Sequence, residues 1–181
     1  MTPVWLSLGS NVQREQHLGA ALEALSGLLK GLHCSAVFES HAVNYRGANF
    51  YNLVVSGHTA LSVQALDRQL KQIESDNGRE QAGRGCLPLD IDILLYGDQV
   101  GCFEGLVLPR PGILNSAFVL WPMALLAPGL RHPLLGQNFA ELWQAARLQQ
   151  PLWPVAFQWR GQPLTSPQLL ASYPLRACPD D

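Results

Sequence analysis

Apolar positions recur along this chain in two rhythms, one of period two and one of three to four. Val4-Trp5-Leu6-Ser7-Leu8 is a short apolar run that meets Gly9-Ser10-Asn11, so it predicts a strand ending in a turn. Leu18, Leu22, Leu25 and Leu29 then fall on one face of a helix over 14–30, which Gly31 ends. Strands are predicted over 35–40 and 51–56, joined by a loop over 41–49. Val63, Leu66, Leu70 and Ile73 place a second helix over 62–77, stopped by Asn77-Gly78. A Gly-rich loop over 81–88 leads into a strand over 89–96, in which two acids alternate with apolar residues.

Beyond it, Leu106-Val107-Leu108 makes a shorter apolar piece before Pro109-Arg110-Pro111. Residues 116–126 predict a helix with Pro122 as a kink or boundary, and 138–148 predict a last helix. Trp153, Val155, Phe157 and Trp159 alternate as an edge strand would, whereas 160–181 hold repeated prolines without periodicity. The order β-α-β-β-α-β followed by extra helices is that of a ferredoxin-like α+β domain, with helices packed on an antiparallel sheet in a three-layer αβα arrangement. Residues 1–159 form a single domain in this reading, and 160–181 a loosely packed tail.

The 181 residues suit one such domain, and a hydrophobic content of 48% supplies its core. Only 14% of the residues are charged and the formal net charge is −2, which disfavours non-specific binding to nucleic acid or anionic lipid. A ferredoxin-like nucleic-acid binder would also need a basic stripe with interleaved aromatics, which this chain lacks. Cys34, Cys86, Cys102 and Cys178 form no Cys-x-x-Cys pair, so reduced thiols are expected rather than a zinc site or a disulfide framework. The N-terminal residues lack a basic region followed by a long apolar stretch, and no run approaches the ~20 apolar residues of a membrane span. A cytoplasmic protein with no membrane partner is expected; the sequence says nothing of its oligomeric state.

On an extended strand, residues two apart project to the same side about 6.5–7 Å apart. Asp90 and Asp92 therefore converge, with Leu94 and Tyr96 continuing their face and Ile91, Ile93 and Leu95 turned to the core. Such a carboxylate pair suits Mg²⁺ shared with substrate phosphates, and an exposed polar strand face is the plainer alternative. Gly9-Ser10-Asn11 offers backbone N–H groups at the mouth of a sheet, or a plain turn in which Asn11 helps cap the next helix. Arg79 and Arg84, on the loop before the acids, suit a polyphosphate grip or a solvated loop. Phe50, Asn52 and Phe118 could frame a flat heteroaromatic ligand, although core packing is the usual role of such aromatics.

Five short motifs occur in order: Leu8-Gly9-Ser10-Asn11; Phe50-Tyr51-Asn52; Ile73-Glu74 with Gly78-Arg79; Leu89-Asp90-Ile91-Asp92-Ile93; and Pro109-Arg110-Pro111 with Asn115 and Phe118-Val119-Leu120-Trp121-Pro122. As a set, over about 4–128, they resemble the 6-hydroxymethyl-7,8-dihydropterin pyrophosphokinases of folate biosynthesis. The resemblance implies transfer of the β,γ-pyrophosphoryl unit of ATP to the pterin hydroxymethyl group, leaving AMP. It implies two Mg²⁺ ions at Asp90 and Asp92, ATP contacts from Glu74, Ile93 and Arg110, and catalytic cations at Arg79, Arg84 and Arg110. Phe50, Asn52, Phe118 and the loop at His41 and Ala42 would hold the pterin.

Departures from the family pattern cluster on the phosphate side. Leu87 stands where the pattern has an arginine before the first acid, and Ser116 where it has another, while Arg110 replaces a histidine between two prolines. Arg84 and Arg110 are the cations available to compensate, and an arginine at such a position is worth on the order of 10³ in rate. Two readings follow: an active Mg²⁺-dependent pyrophosphokinase with an altered phosphate site, or a non-catalytic or weakly active relative that binds pterin or a protein partner.

Overall fold

The computed structural model describes residues 1–43 and 47–173. In chain order its elements are β1 (Thr2–Ser10), α1 (Arg14–Leu28), β2 (Lys30–Cys34), β3 (Val37–Ser40), β4 (Phe50–Thr59), α2 (Val63–Asp76), β5 (Asp90–Tyr96), β6 (Gly101–Phe103), β7 (Leu106–Leu108), α3 (Ala117–Leu126), α4 (Phe139–Ala145), β8 (Leu152–Val155), β9 (Gln158–Trp159), β10 (Gln162–Pro163) and α5 (Pro167–Ser172).

Strand alternation sets the layers. Val4, Leu6 and Leu8 of β1, Leu53 and Val55 of β4, and Ile91 and Ile93 of β5 share one core with Leu18, Leu22 and Leu25 of α1 and Leu66 and Leu70 of α2. Val54 and Leu94 face the other way and pack with Leu120 and Met123 of α3 and Phe139 and Leu142 of α4. The result is the expected α+β architecture, with helices on both faces of an antiparallel sheet.

Among the described residues this sheet has six strands in the order β5-β1-β4-β3-β8, with β2 also paired to β4. β2 and β3 run in line along β4 as one interrupted strand. At the break, the Val54 N–H donates to Ser35 Oγ at 2.9 Å and the Ser35 N–H donates to the Val54 carbonyl at 2.8 Å, so a hydroxyl replaces one missing main-chain acceptor.

Several sequence expectations need correction. The period-two reading put Leu95 in the first core and Tyr96 beside the acids, but a bulge intervenes: Leu6 pairs with Ile93 and Trp5 with Leu95. Leu94 and Leu95 therefore both enter the α3 core, while Tyr96 packs on the α2 side and donates its hydroxyl to the Leu61 carbonyl at 2.6 Å. Strand β2 gave no signal because Lys30-Gly31-Leu32-His33-Cys34 is polar and largely exposed. Pro122 neither ends nor bounds α3 but is buried inside it, so the Phe118 carbonyl lacks its helical donor.

The tail expected from residue 160 forms regular structure over the described residues 160–173, including β10 and α5. The proposed boundary falls inside the β9–β10 hairpin, and buried Thr165 accepts the Val37 N–H at 3.0 Å through Oγ1. Cys34, Cys86 and Cys102 are free thiols, whereas Cys178 lies outside the described residues. No helix among the described residues is long and apolar enough to cross a membrane.

Candidate active site

Sheet register assembles the site. Gly9 lies opposite Asn52 on one side and Asp90 on the other, and Asn52 lies opposite Phe38. Asp90, Gly9, Asn52 and Phe38 thus form one row across four strands, on the face that α3 covers. In the next row Asp92 stands beside Ser7 and Val54. The acids and the amide are two strand spacings apart, about 10 Å.

A cavity of about 310 Å³ opens over this row, between the sheet and the start of α3. His41, Phe50, Asn52, Asp90, Asp92, Arg110 and Phe118 all line it, so most of the residues singled out from the sequence converge. Leu87 and Ser116, which stand where the resemblance implies arginines, line it as well. Ala42 does not line the cavity, and exposed Arg84 stays outside it on the 82–88 loop. The Ile93 side chain is buried in the core on the opposite face of β5 and does not line the cavity, which leaves its main chain as the part that a nucleotide could meet.

Glu74 is also turned elsewhere. Its Oε1 accepts the Ile91 N–H at 2.7 Å, satisfying a main-chain donor of edge strand β5, and Arg79 lies 3.7 Å away. Burial pushes the Glu74 carboxyl above its ordinary range, against the opposing effects of the Ile91 N–H and Arg79.

Each acid of the pair has its own arginine. Arg79 Nη1 lies 3.0 Å from Asp90 Oδ1 and donates to the Leu89 carbonyl at 2.8 Å, while Arg110 Nη2 lies 3.1 Å from Asp92 Oδ1. Burial, reinforced by the Asp90 charge, pushes the Asp92 carboxyl up to about 6 despite Arg110. Two neighbouring carboxylates, one of them costly to ionise, form a site that favours a bound cation. Among the described residues no group of three or more His, Cys, Asp and Glu side chains could cage a metal. The donor set therefore suits Mg²⁺, which commonly takes one or two protein carboxylates and completes its shell with water and substrate phosphates.

At the other end of the row, Asn52 Nδ2 donates to Ser40 Oγ at 2.9 Å, which fixes the orientation of the amide. A Cβ built on Gly9 would sit 3.5 Å from Asn52 Oδ1 and 3.7 Å from Phe50 Cδ1, which is ordinary contact, so a methyl there fits the protein but fills the floor of the cleft. Gly9→Ala is expected to change the melting temperature by no more than about 3 °C. Binding of a flat heteroaromatic ligand over this row, measured by calorimetry, is expected to weaken by roughly tenfold or more.

Asn11 has a role its sequence context hid. It does not cap α1, whose N-cap position is Gln13 with no side-chain cap. Instead Asn11 Nδ2 donates to the Gly85 carbonyl at 2.8 Å and Oδ1 accepts the Leu87 N–H at 2.6 Å, pinning the loop before the acids to the turn after β1. Gly47 packs on the same point, where a Cβ would lie 2.9 Å from the Gly85 oxygen. A second network supports His41, whose Nδ1 lies 3.1 Å from Asn49 Oδ1. Arg14, stacked 3.8 Å over the Tyr51 ring, donates to Glu39 Oε1 at 2.8 Å and to the Asn49 carbonyl at 3.1 Å. These partners are distant in sequence, and no local motif marks them.

Residues 5–128 match the model of the 7,8-dihydro-6-hydroxymethylpterin-pyrophosphokinase (HPPK) family. This chain belongs to that family. A 2-amino-4-hydroxy-6-hydroxymethyldihydropteridine pyrophosphokinase of Aquifex aeolicus is 35% identical over 144 residues, covering 78% of this chain and 90% of that protein. A folate synthesis bifunctional protein of Chlamydia trachomatis is 35% identical over 155 residues, which cover 77% of this chain but 34% of the longer relative. Among solved structures, wild-type Plasmodium falciparum HPPK-DHPS with pteroate superposes with a TM-score of 0.63 at 14% identity, covering 79% of this chain and 44% of that one. The last likeness supports the fold; membership of the pyrophosphokinase family rests on the family match and the Aquifex relative.

Proposed function

We propose that this chain is an active pterin pyrophosphokinase that holds Mg·ATP at the Asp90 and Asp92 end of the cleft and 6-hydroxymethyl-7,8-dihydropterin at the Asn52 and Phe118 end. The observation that carries this is the row Asp90-Gly9-Asn52, which puts a carboxylate and an oriented amide about 10 Å apart with a bare glycine between them. In the reaction the hydroxymethyl oxygen attacks the β-phosphorus of ATP and gives up its proton to solvent water, while the bond from the β-phosphorus to the α,β-bridging oxygen breaks and AMP leaves with that oxygen.

Phe118 and Phe50 supply apolar ring surfaces for the bicycle, and the oriented Asn52 amide supplies hydrogen bonds to its polar edge. Asp90 and Asp92 would hold two Mg²⁺ ions, which when bound neutralise charge on the phosphate oxygens. Arg110 lines the cavity beside Asp92, Arg79 is paired with Asp90, and Arg84 lies on the neighbouring loop; these three would supply the cations for a triphosphate. Transfer of this kind needs positioning and charge neutralisation more than covalent participation by the protein. The partners in this reading are the two small molecules, met in the cytoplasm, with no role for nucleic acid or membrane.

Incubation with hydroxymethyl-dihydropterin and Mg·ATP, with the nucleotides resolved, tests the proposal. AMP formed in step with pyrophosphorylated pterin is expected. ADP would show another reaction, and pterin binding without any nucleotide product would show a binding protein instead.

Leu87 offers a second test. Its backbone is fixed by Asn11 through both N–H and carbonyl, and its side chain faces the cavity, so Leu87→Arg directs a guanidinium toward the phosphate end. Turnover is expected to rise about tenfold or more. An unchanged kcat in a folded, pterin-binding variant would mean that this missing cation does not limit the rate.

A further inference from the structure

The segment after residue 128 lies outside the family match, yet part of it returns to the mouth of the cleft. Helix α3 begins there with an unusual end. Its N-cap residue, Ser116, makes no side-chain cap, although the first N–H groups of a helix have no partner within it. The Ala117 N–H instead donates to Gln150 Oε1 at 2.7 Å, and Gln150 Nε2 donates to the Asn115 carbonyl at 2.9 Å. A side chain 33 residues downstream thus caps the helix and ties down the turn that enters it.

The first turn of α3 is also weakened from within, because Pro122 leaves the Phe118 carbonyl without its donor. The distant cap therefore acts on the turn whose aromatic ring lines the cleft. The neighbouring residues brace the opposite wall. Leu152 pairs with Ser40, and the Trp153 ring meets His41 edge-on at 5.3 Å between centroids. Gln150, Leu152, His41 and Phe118 enclose a side pocket of about 70 Å³ that shares Ser40, His41 and Phe118 with the main cavity.

We infer that Gln150 is a positioning residue for the ring-binding end of the cleft, fixing where Phe118 stands by capping α3 from outside the family-matched segment. This rests on the placement of pterin at Phe118 proposed above. Gln150→Ala in the full chain is expected to weaken pterin binding roughly fivefold, with affinity for a non-hydrolysable Mg·ATP analogue unchanged within about twofold. Gln150→Glu keeps the acceptor for the Ala117 N–H at a helix N-terminus but loses the donor to the Asn115 carbonyl and sets a carboxylate oxygen against it, so it is expected to restore the affinity only in part.

Amide hydrogen exchange at 117–119 in the ligand-free protein reports the cap independently of any substrate and is expected to speed up in Gln150→Ala only. Unaltered exchange and unaltered pterin affinity would overturn the inference. Equal losses for both ligands would overturn it too, by showing general destabilisation. Faster exchange in Gln150→Ala, with no pterin binding even by the parent protein, would locate the failure in the pterin assignment, and the positioning role would fall with it.

Discussion

Asp92→Asn is expected to lower kcat for pyrophosphoryl transfer by roughly 10³ or more while making the protein more stable at neutral pH. The two effects share one cause. Burial and the Asp90 charge hold the Asp92 carboxyl near 6, against an ordinary value of 3.8, so ionising it in the folded protein is unfavourable. Between about pH 4 and 6 the native state keeps a proton that the unfolded chain has released, and stability therefore falls as pH rises through that window. Asparagine removes that dependence. A tenfold change in proton affinity corresponds to about 1.4 kcal/mol, and with the side chain still 27% exposed the net gain at pH 7 is about 1 to 2 kcal/mol. Thermal melts should show an increase of roughly 3 to 6 °C for a chain of this size. Undiminished turnover would remove the acid from the mechanism, and a lower melting temperature would show that its pairing with Arg110 outweighs its burial.

Asn52→Leu is expected to lower kcat/KM for the pterin by about 10² or more while leaving ATP affinity within roughly twofold. A site that recognises a polar ring edge by hydrogen bonds loses most of its discrimination when those bonds cannot form. Leucine is close in volume but cannot donate to Ser40 Oγ or accept from a ligand, so the ring would meet an apolar wall. The stability cost is about 1 kcal/mol for the lost internal hydrogen bond. Calorimetric titration of each substrate separately checks the division of labour along the row. A comparable loss of ATP binding would show that the two ends are not independent.

Much of this site was legible in the sequence because it depends on period-two alternation and on side chains near strand ends. The spacing of Asp90 and Asp92 alone put both on one face, and Phe50-Tyr51-Asn52 opened a strand that did place Asn52 in the cleft. What escaped detection depends on long-range partners. The Leu94 bulge is an extra residue whose effect appears only when β5 is paired with β1, so period-two alternation alone sends Leu95 and Tyr96 to the wrong faces. Asn11 follows a strand and precedes a helix, a context that suggests a cap, and only the approach of the 85–87 loop reveals its other use. Pro-rich composition likewise concealed the β9–β10 hairpin and α5, which are held by single contacts such as Thr165 to Val37 rather than by a repeating pattern.

The bare backbone at Gly9 has a further implication for how this cleft can change. The distance between its two ends is built from hydrogen-bonded strands, so it behaves as a ruler whose graduations are whole strands. No rotamer change can lengthen or shorten it by one bond. Substitutions among the side chains at the Asn52 and Phe118 end can tune which ring is admitted, but an acceptor whose reactive arm has a different reach would need the sheet itself to be re-paired.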